Sequence, residues 1–144
     1  MSEQLVVDAN VIAKLYLRDE QYTINADTLF SKFQQGEVKL IAPRLIMYEV
    51  PATIKKAVTR ARVGEEVGQD AIRSLEDLGL IIVDDSNAKY EAFRLAVNYG
   101  CTYYDAIYLL LAEDLGCPFI TADDKLWRPL YRRLPYIVRL ASYT

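Results

Sequence analysis

Histidine is absent from this 144-residue sequence, and several common kinds of active site are excluded with it. Without an imidazole the chain cannot form a Ser-His-Asp triad, a Cys-His catalytic pair or a histidine-ligated metal centre. Any chemistry must use carboxylates, hydroxyls, amines or thiols. The acidic side chains therefore become the first candidates for a site.

Cysteine and long apolar runs are also scarce. Cys101 and Cys117 are too few for a disulfide framework, and we expect both to be reduced thiols. No stretch approaches the roughly 18 uninterrupted apolar residues of a membrane span. The first residues lack the basic start and unbroken apolar core of a signal peptide. We therefore expect a cytoplasmic protein without a membrane segment.

The sequence has only 6 glycines and 5 prolines, with no repeat and no linker-like stretch. Its length suits one domain, large enough to bury a core without a disulfide or a structural metal. We expect residues 1–144 to fold as a single domain.

Short apolar segments alternate with segments of helical spacing. The apolar segments predict strands over residues 4–8, 38–43, 80–84, 118–123 and 136–140. The intervening segments predict helices over residues 10–18, 22–35, 44–63, 65–78, 86–98, 104–116 and 124–133. Pro51 should bend or break the third helix. The alternation predicts a three-layer α/β/α fold around a five-stranded parallel sheet.

Four acids interrupt apolar surroundings, namely Asp8, Glu49, Asp105 and Asp123. Three have simple structural explanations, because Asp105 and Asp123 could cap helices and Glu49 could lie on a solvated helix face. Asp8 has the weakest such explanation, since it follows a buried strand. Asp8 and Asp123 end two strands of a parallel sheet, so we expect them at the same edge.

Carboxylates that converge in one pocket need a neutralising partner. Two such charges ~4 Å apart repel by about 4 kcal/mol at an effective dielectric near 20. An all-oxygen pocket suits hard cations such as Mg²⁺ or Mn²⁺. Asn10 and Thr121 could support the acids through hydrogen bonds, and Asp124 could be a fifth ligand or a surface residue.

The basic residues are clustered although the net charge is −3. From Lys125 to the end there are five basic residues and no acid, and a second group lies in the middle of the chain. Candidates for contact with a phosphate backbone are Lys55, Lys56, Arg60, Arg128, Arg132 and Arg133. The alternative is that each lies on a solvated helix face. The tyrosines of residues 99–108 could stack on bases, but core packing or a subunit contact is favoured, because Tyr108 lies in an apolar helix.

The sequence resembles the PIN-domain ribonucleases, and among them the VapC-type toxins of toxin–antitoxin pairs. The matching segments are "VVDANV", "YEV" with Glu49, "YYDAIYLLLAEDLGCPFITAD" and "DDKLW". The resemblance covers essentially the whole chain, and Pro51 is a departure from the pattern.

The resemblance implies a metal-dependent endoribonuclease acting on RNA. It assigns catalytic roles to Asp8, Glu49, Asp105 and Asp123, with Asp8, Asp105 and Asp123 holding Mg²⁺ or Mn²⁺. Thr121 and Asn10 match supporting positions of the family. A small VapB-type antitoxin, docked in a hydrophobic groove between the early helices, and a homodimer are the implied partners.

Three other classes remain open at this point. A phosphatase of the haloacid dehalogenase type needs a second Asp where this chain has Asn10. A receiver-like module could use Asp84 or Asp85 after the third strand, but no suitable lysine follows the fifth. A catalytically silent PIN-fold module that binds RNA or protein is the remaining alternative.

Overall fold

A computed structural model describes residues 2–144 of the chain. One parallel sheet has the strand order β3-β2-β1-β4-β5. Its strands are β1 (Glu3–Val7), β2 (Val38–Pro43), β3 (Ile81–Val83), β4 (Phe119–Thr121) and β5 (Ile137–Arg139). The five-stranded parallel sheet predicted from the alternation is confirmed, although three strands are shorter than expected.

Within residues 2–144, seven α-helices connect these strands, and a 3-10 turn follows the last strand. The helices are α1 (Ala9–Ala13), α2 (Thr23–Gln34), α3 (Ile46–Thr59), α4 (Glu65–Glu76), α5 (Lys89–Tyr99), α6 (Tyr103–Leu115) and α7 (Asp124–Leu130), and the turn is Leu140–Ser142. The helix predicted over 10–18 ends at Ala13, where Lys14 caps it and turns follow. The other six predicted helices are all present, in the predicted order.

Helix α3 continues through Pro51, so of the predicted bend or break the break does not occur. Proline lacks a backbone N–H and removes one hydrogen bond to the carbonyl four residues earlier, here that of Met47. Pro51 lies in the second turn, so only the start of the helix loses that bond. The buried residues Ile46, Val50 and Ile54 hold the helix against the core on both sides of the proline.

Helices cover both faces of the sheet. Leu5, Val6 and Val7 of the central strand are each 0% exposed. Successive strand residues point to opposite faces, so full burial of all three requires a layer on each side. The core is thus built on β1, the strand that leads into Asp8. Within residues 2–144 no helix is long and apolar enough to cross a membrane.

The chain changes direction across the sheet at β1. The sheet grows outward from β1 through β2 and β3, and the chain then returns to pair β4 with the other side of β1. Ligand crevices of open α/β sheets lie at such switch points, outside the carboxyl ends of the strands. Val7 pairs with Ile120, which brings Asp8 beside Thr121 at this crevice.

Candidate active site

Asp8 leaves β1 and immediately caps α1. One carboxylate oxygen accepts a hydrogen bond from the N–H of Val11 at 3.1 Å, and the other accepts one from the hydroxyl of Thr121 at 2.6 Å. The side chain is 7% exposed. Burial raises the pKa of Asp8 to about 7; the two hydrogen bonds oppose this effect, and the charges of Asp105 and Asp123 add to it. A carboxyl in this state is poised between its charged and neutral forms near neutral pH.

Asp105 stands in the first turn of α6, and the cap of that helix is Thr102. The Thr102 hydroxyl accepts the N–H of Asp105 at 3.0 Å. The explanation of Asp105 as the helix cap is therefore wrong, and its carboxylate is available to the crevice. Partial burial raises the pKa of Asp105, the Thr102 hydrogen bond lowers it, and the charge of Asp123 raises it further.

Asp123 caps α7, as its alternative explanation predicted. Its carboxylate accepts the N–H of Lys125 at 3.0 Å, and its own N–H donates to the Thr121 hydroxyl at 3.0 Å. Thr121 thus donates to Asp8 and accepts from the backbone of Asp123. This fully buried threonine fixes the spacing between the first and the last acid.

Glu49 reaches the crevice from α3 and is half-buried. The Tyr108 hydroxyl donates a hydrogen bond to it at 2.7 Å. Burial raises the pKa of Glu49, the Tyr108 hydrogen bond lowers it, and the charge of Asp105 raises it. Glu49 therefore does not lie on a solvated helix face, and that alternative explanation is wrong.

Tyr108 is a site residue that the sequence did not reveal. Its ring is 2% exposed and stacks on Phe119 with centroids 5.8 Å apart, so the favoured assignment to the core is confirmed. Its hydroxyl nevertheless faces the carboxylates, and burial together with the charge of Glu49 raises its pKa. Helical spacing predicts that Tyr108 is buried, but it cannot predict a contact with a residue 59 positions away.

Two cavities meet at Asp105. The smaller, of about 160 Å³, is lined by Asp8, Asn10, Glu49, Lys56 and Tyr108 among others. The larger, of about 290 Å³, contains Asp105 and Asp123 in its wall and also Lys125. The fold therefore brings together Asn10, Thr121 and the four acids, and it adds two lysines at their border.

Asp124 is directed elsewhere. Its carboxylate accepts the Tyr22 hydroxyl at 2.7 Å and an Arg139 N–H at 3.0 Å. The Tyr22 hydrogen bond, followed by the charge and hydrogen bond of Arg139, holds its pKa below the usual value. Asp124 thus joins α7 to α2 and β5, while the adjacent Asp123 faces the other acids.

The basic candidates separate into two groups. Lys56 lines the acidic cavity, whereas Lys55 lies on a separate groove between α3 and α4. Arg60, Arg128, Arg132 and Arg133 are all exposed. Arg132 and Arg133 lie over the rings of Tyr131 and Tyr99, at 5.6 and 4.6 Å. Only Lys56 among the residues predicted to contact phosphate is in the wall of the site itself.

The donor set fits a divalent cation, with a restriction on how it would be held. Through residues 2–144 no lysine or arginine forms an ion pair with any of the four acids. Over the same residues no three acidic or thiol groups stand close enough to hold an ion as they are placed. Mg²⁺ commonly keeps several waters and takes one or two carboxylates together with substrate phosphate. The crowded oxygens fit that mode of binding better than a closed cage of protein ligands.

The rival assignments find no comparable support in the geometry. Asp84 accepts hydrogen bonds from the backbone and hydroxyl of Ser86, and Asp85 accepts the N–H of Leu45. Both aspartates thus serve turns beside the outermost strand β3, away from the switch point that a receiver site would need. Asn10 lines the acidic cavity but is not the carboxylic acid of a dehalogenase-type phosphatase.

Comparisons with known proteins agree with this fold. The family model of the PIN domain matches residues 5–129. Ribonuclease VapC3 of Pyrobaculum aerophilum is 33% identical over 125 residues, which are 85% of this chain and 92% of the relative. A crystal structure from Pyrobaculum aerophilum has a TM-score of 0.72 at 21% identity, over 97% of this chain and 85% of the other. A toxin–antitoxin complex from Klebsiella pneumoniae gives a TM-score of 0.63 at 18% identity, over 94% of this chain and 97% of the other.

Proposed function

Because the chain belongs to the PIN-domain family, we propose that it is a ribonuclease of the VapC type. It hydrolyses RNA phosphodiester bonds internally and depends on Mg²⁺ or Mn²⁺. The observation that carries the proposal is the convergence of Asp8, Glu49, Asp105 and Asp123 at the switch point of the sheet. The names of the relatives support the same activity, since a VapC ribonuclease is 33% identical.

The surroundings of each acid indicate its role in the proposed reaction. Asp8, Asp105 and Asp123 would hold the ion, in part through water molecules, because the three carboxylates do not stand close enough to form a closed cage. When bound, the ion supplies Lewis-acid stabilisation of the charge that develops on the phosphate. Glu49 orients the attacking water, and Tyr108 keeps its carboxylate directed into the cavity. Thr121 keeps Asp8 and the backbone of Asp123 in register.

Substrate binding starts from Lys56, a lysine in the wall of the acidic site. Lys56 lines the cavity that contains Asp8 and Glu49, so it can meet a phosphate oxygen there. Lys55, Arg60 and Arg128 extend positive charge over the surface, where they attract the RNA backbone without selecting a sequence. Their contribution should weaken as salt rises.

Cleavage of a mixed-structure RNA tests the activity. We expect cutting with Mn²⁺ or Mg²⁺, and no cutting with EDTA or by Asp8→Asn protein. A circular RNA supplied in the same assay separates internal cleavage from exonuclease action, because a circle has no end. Cutting that persists in EDTA and in the variant would contradict the metal-dependent assignment.

A small VapB-type antitoxin is the proposed partner, and a homodimer the proposed assembly. The likeness to the toxin–antitoxin complex from Klebsiella pneumoniae supports the first. We propose as the docking place of the antitoxin a groove of about 230 Å³ between α3 and α4, with Ile54, Val58 and Ile72 in its wall. Co-purification with the product of a neighbouring small gene, and the mass of each complex by light scattering, test both statements.

The second candidate function is a silent PIN-fold module that binds RNA without cutting it. The carboxylates argue against it, because within residues 2–144 the four acids form no ion pair and a buried charge at Asp8 is costly without a cation to offset it. Calorimetric titration with Mn²⁺ separates the candidates. A selective nuclease binds the ion through the acidic site, whereas a silent module has no need to.

A further inference from the structure

The larger cavity beside the acids is not used by the chemistry described so far. It has a volume of about 290 Å³ and lies between the α5–α6 turn and α7. Asp105 belongs to its wall as well as to that of the smaller cavity. Pockets for drug-sized ligands begin at roughly 300 Å³, so this one suits a smaller, compact group.

The wall of this cavity combines an aromatic ring, apolar residues and a cation. Tyr99 is held in place by the Arg133 guanidinium, 4.6 Å from its ring centre. Leu126 and Leu130 are buried at 6% and 2% exposure and supply an apolar floor. Lys125 is exposed and lines the same space. A flat heteroaromatic group next to a phosphate satisfies all three kinds of contact.

We propose that this cavity binds one base of the RNA, that of a nucleotide adjoining the cleaved phosphate, with Lys125 contacting the backbone beside it. The inference rests on the proposed function. Its main support is position, because Asp105 and Asp123 stand in the cavity wall and a base held there brings its phosphate to the acids. The two lysines then flank the acids, Lys56 in the smaller cavity and Lys125 in the larger.

The same cavity gives the protein a means of choosing its cleavage site. The half-buried Cys101 thiol lines the space, and burial followed by the charge of Asp105 raises its pKa. A thiol, an aromatic ring and apolar carbons can contact any base. They offer too few hydrogen-bond donors and acceptors to identify one base by its edge. We therefore expect a preference for base size and stacking rather than for an extended sequence.

Abasic RNA tests the inference separately from the nuclease activity. Starting from an RNA that the wild-type protein cleaves, each nucleotide near the cut is replaced by an abasic one. One flanking position should raise KM by about 10-fold, the size expected for one stacked base. Cys101→Phe fills the cavity and should remove that sensitivity, so that intact and abasic RNA are cut with equal KM. Leu115→Phe introduces the same aromatic ring at an exposed position at the other end of α6, about 15 Å along the helix from Asp105, and should retain the sensitivity.

If KM is the same for every abasic RNA, or if the Cys101→Phe protein still distinguishes intact from abasic RNA, the base subsite is overturned. The proposed nuclease activity would stand in either case. No cleavage of any RNA would instead refute the proposed function. Alkylation of Cys101 in EDTA is a second measurement, made on the wild-type protein and independent of catalysis. The other cysteine, Cys117, is 8% exposed and should react slowly. Intact RNA should slow this alkylation several-fold and the abasic RNA should not; equal rates would refute the inference.

Discussion

The Asp8 carboxylate accepts hydrogen bonds from Val11 and Thr121 yet has a pKa raised from 3.8 to about 7. Burial therefore outweighs both hydrogen bonds. For an acid with a raised folded-state pKa, the folded chain keeps a proton that the unfolded chain has already released. The free energy of unfolding thus falls as the pH rises from about 4 to 7. A bound cation would reverse this penalty, so the proposed metal ion would stabilise the fold most where the metal-free protein is least stable.

Asp8→Asn should stabilise the metal-free protein in a pH-dependent way. The amide carries no charge. Its oxygen can still accept the Val11 N–H, and its NH₂ group can donate to the Thr121 hydroxyl, which reverses the direction of that bond. The pKa difference corresponds to about 4 kcal/mol at pH 8 and to less than about 1 kcal/mol at pH 4. Urea unfolding in EDTA at both pH values measures this gain, with the exposed Asp77→Asn as a control. A loss of stability at pH 8 would contradict the account of Asp8.

Tyr108→Phe should lower kcat by about 10-fold, because a hydrogen bond to a charged group contributes roughly 1.5 kcal/mol or more. The ring can still stack on Phe119, so we expect little loss of stability. The pH profile of cleavage should move to higher pH, since Tyr108 lowers the pKa of Glu49. Tyr104→Phe, at an exposed position of the same helix, is the control. Unchanged kcat and an unchanged profile would assign Tyr108 to packing alone.

At the scale of elements, each acid is fixed by the start of a helix or the end of a strand. Asp8 and Asp123 cap α1 and α7, and Asp105 follows the Thr102 cap of α6. A carboxylate directly after an apolar run indicates the end of a strand. The sequence therefore predicted that Asp8 and Asp123 lie at the same edge of the sheet. The short α1 and the continuity of α3 through Pro51 were not predictable, because tertiary packing overrides local propensity there.

Thr102→Ala should weaken both the helix and the site. Loss of an N-cap destabilises a protein by about 1 kcal/mol, and here it also frees the first turn that carries Asp105. We expect a lower Tm and weaker Mn²⁺ binding in calorimetry. Thr102→Ser keeps the hydroxyl and should restore both; a serine variant as impaired as alanine would show that the cap is not the cause.

At the scale of the whole molecule, contacts between distant segments complete the site and could not come from local pattern. Glu49 meets Tyr108 across 59 positions and Thr121 meets Asp8 across 113. The sequence predicted the four acids through a family pattern and the sheet through alternation. It left the role of Asp124 open. An aspartate at this position could bind a metal ion or join distant elements of the fold, and residue type and spacing do not distinguish the two.

Asp124→Asn tests which role that residue has. Its partners Tyr22 and Arg139 join α7 to α2 and β5, so the substitution should lower the free energy of unfolding by about 1 kcal/mol. Mn²⁺ affinity and RNA cleavage should be unchanged. Loss of metal binding with full stability would instead make Asp124 a ligand.

The rate at which Asp105→Asn protein cleaves RNA in Mn²⁺ tests the central claim most directly, because Asp105 borders both cavities. The matched control is Asp114→Asn, an exposed position of the same helix. The account predicts a loss of at least about 100-fold for the first variant, in the range seen when an electrostatic group is removed from an active site, and wild-type cleavage for the second. Equal rates for both variants would contradict the assignment of these carboxylates as the catalytic centre.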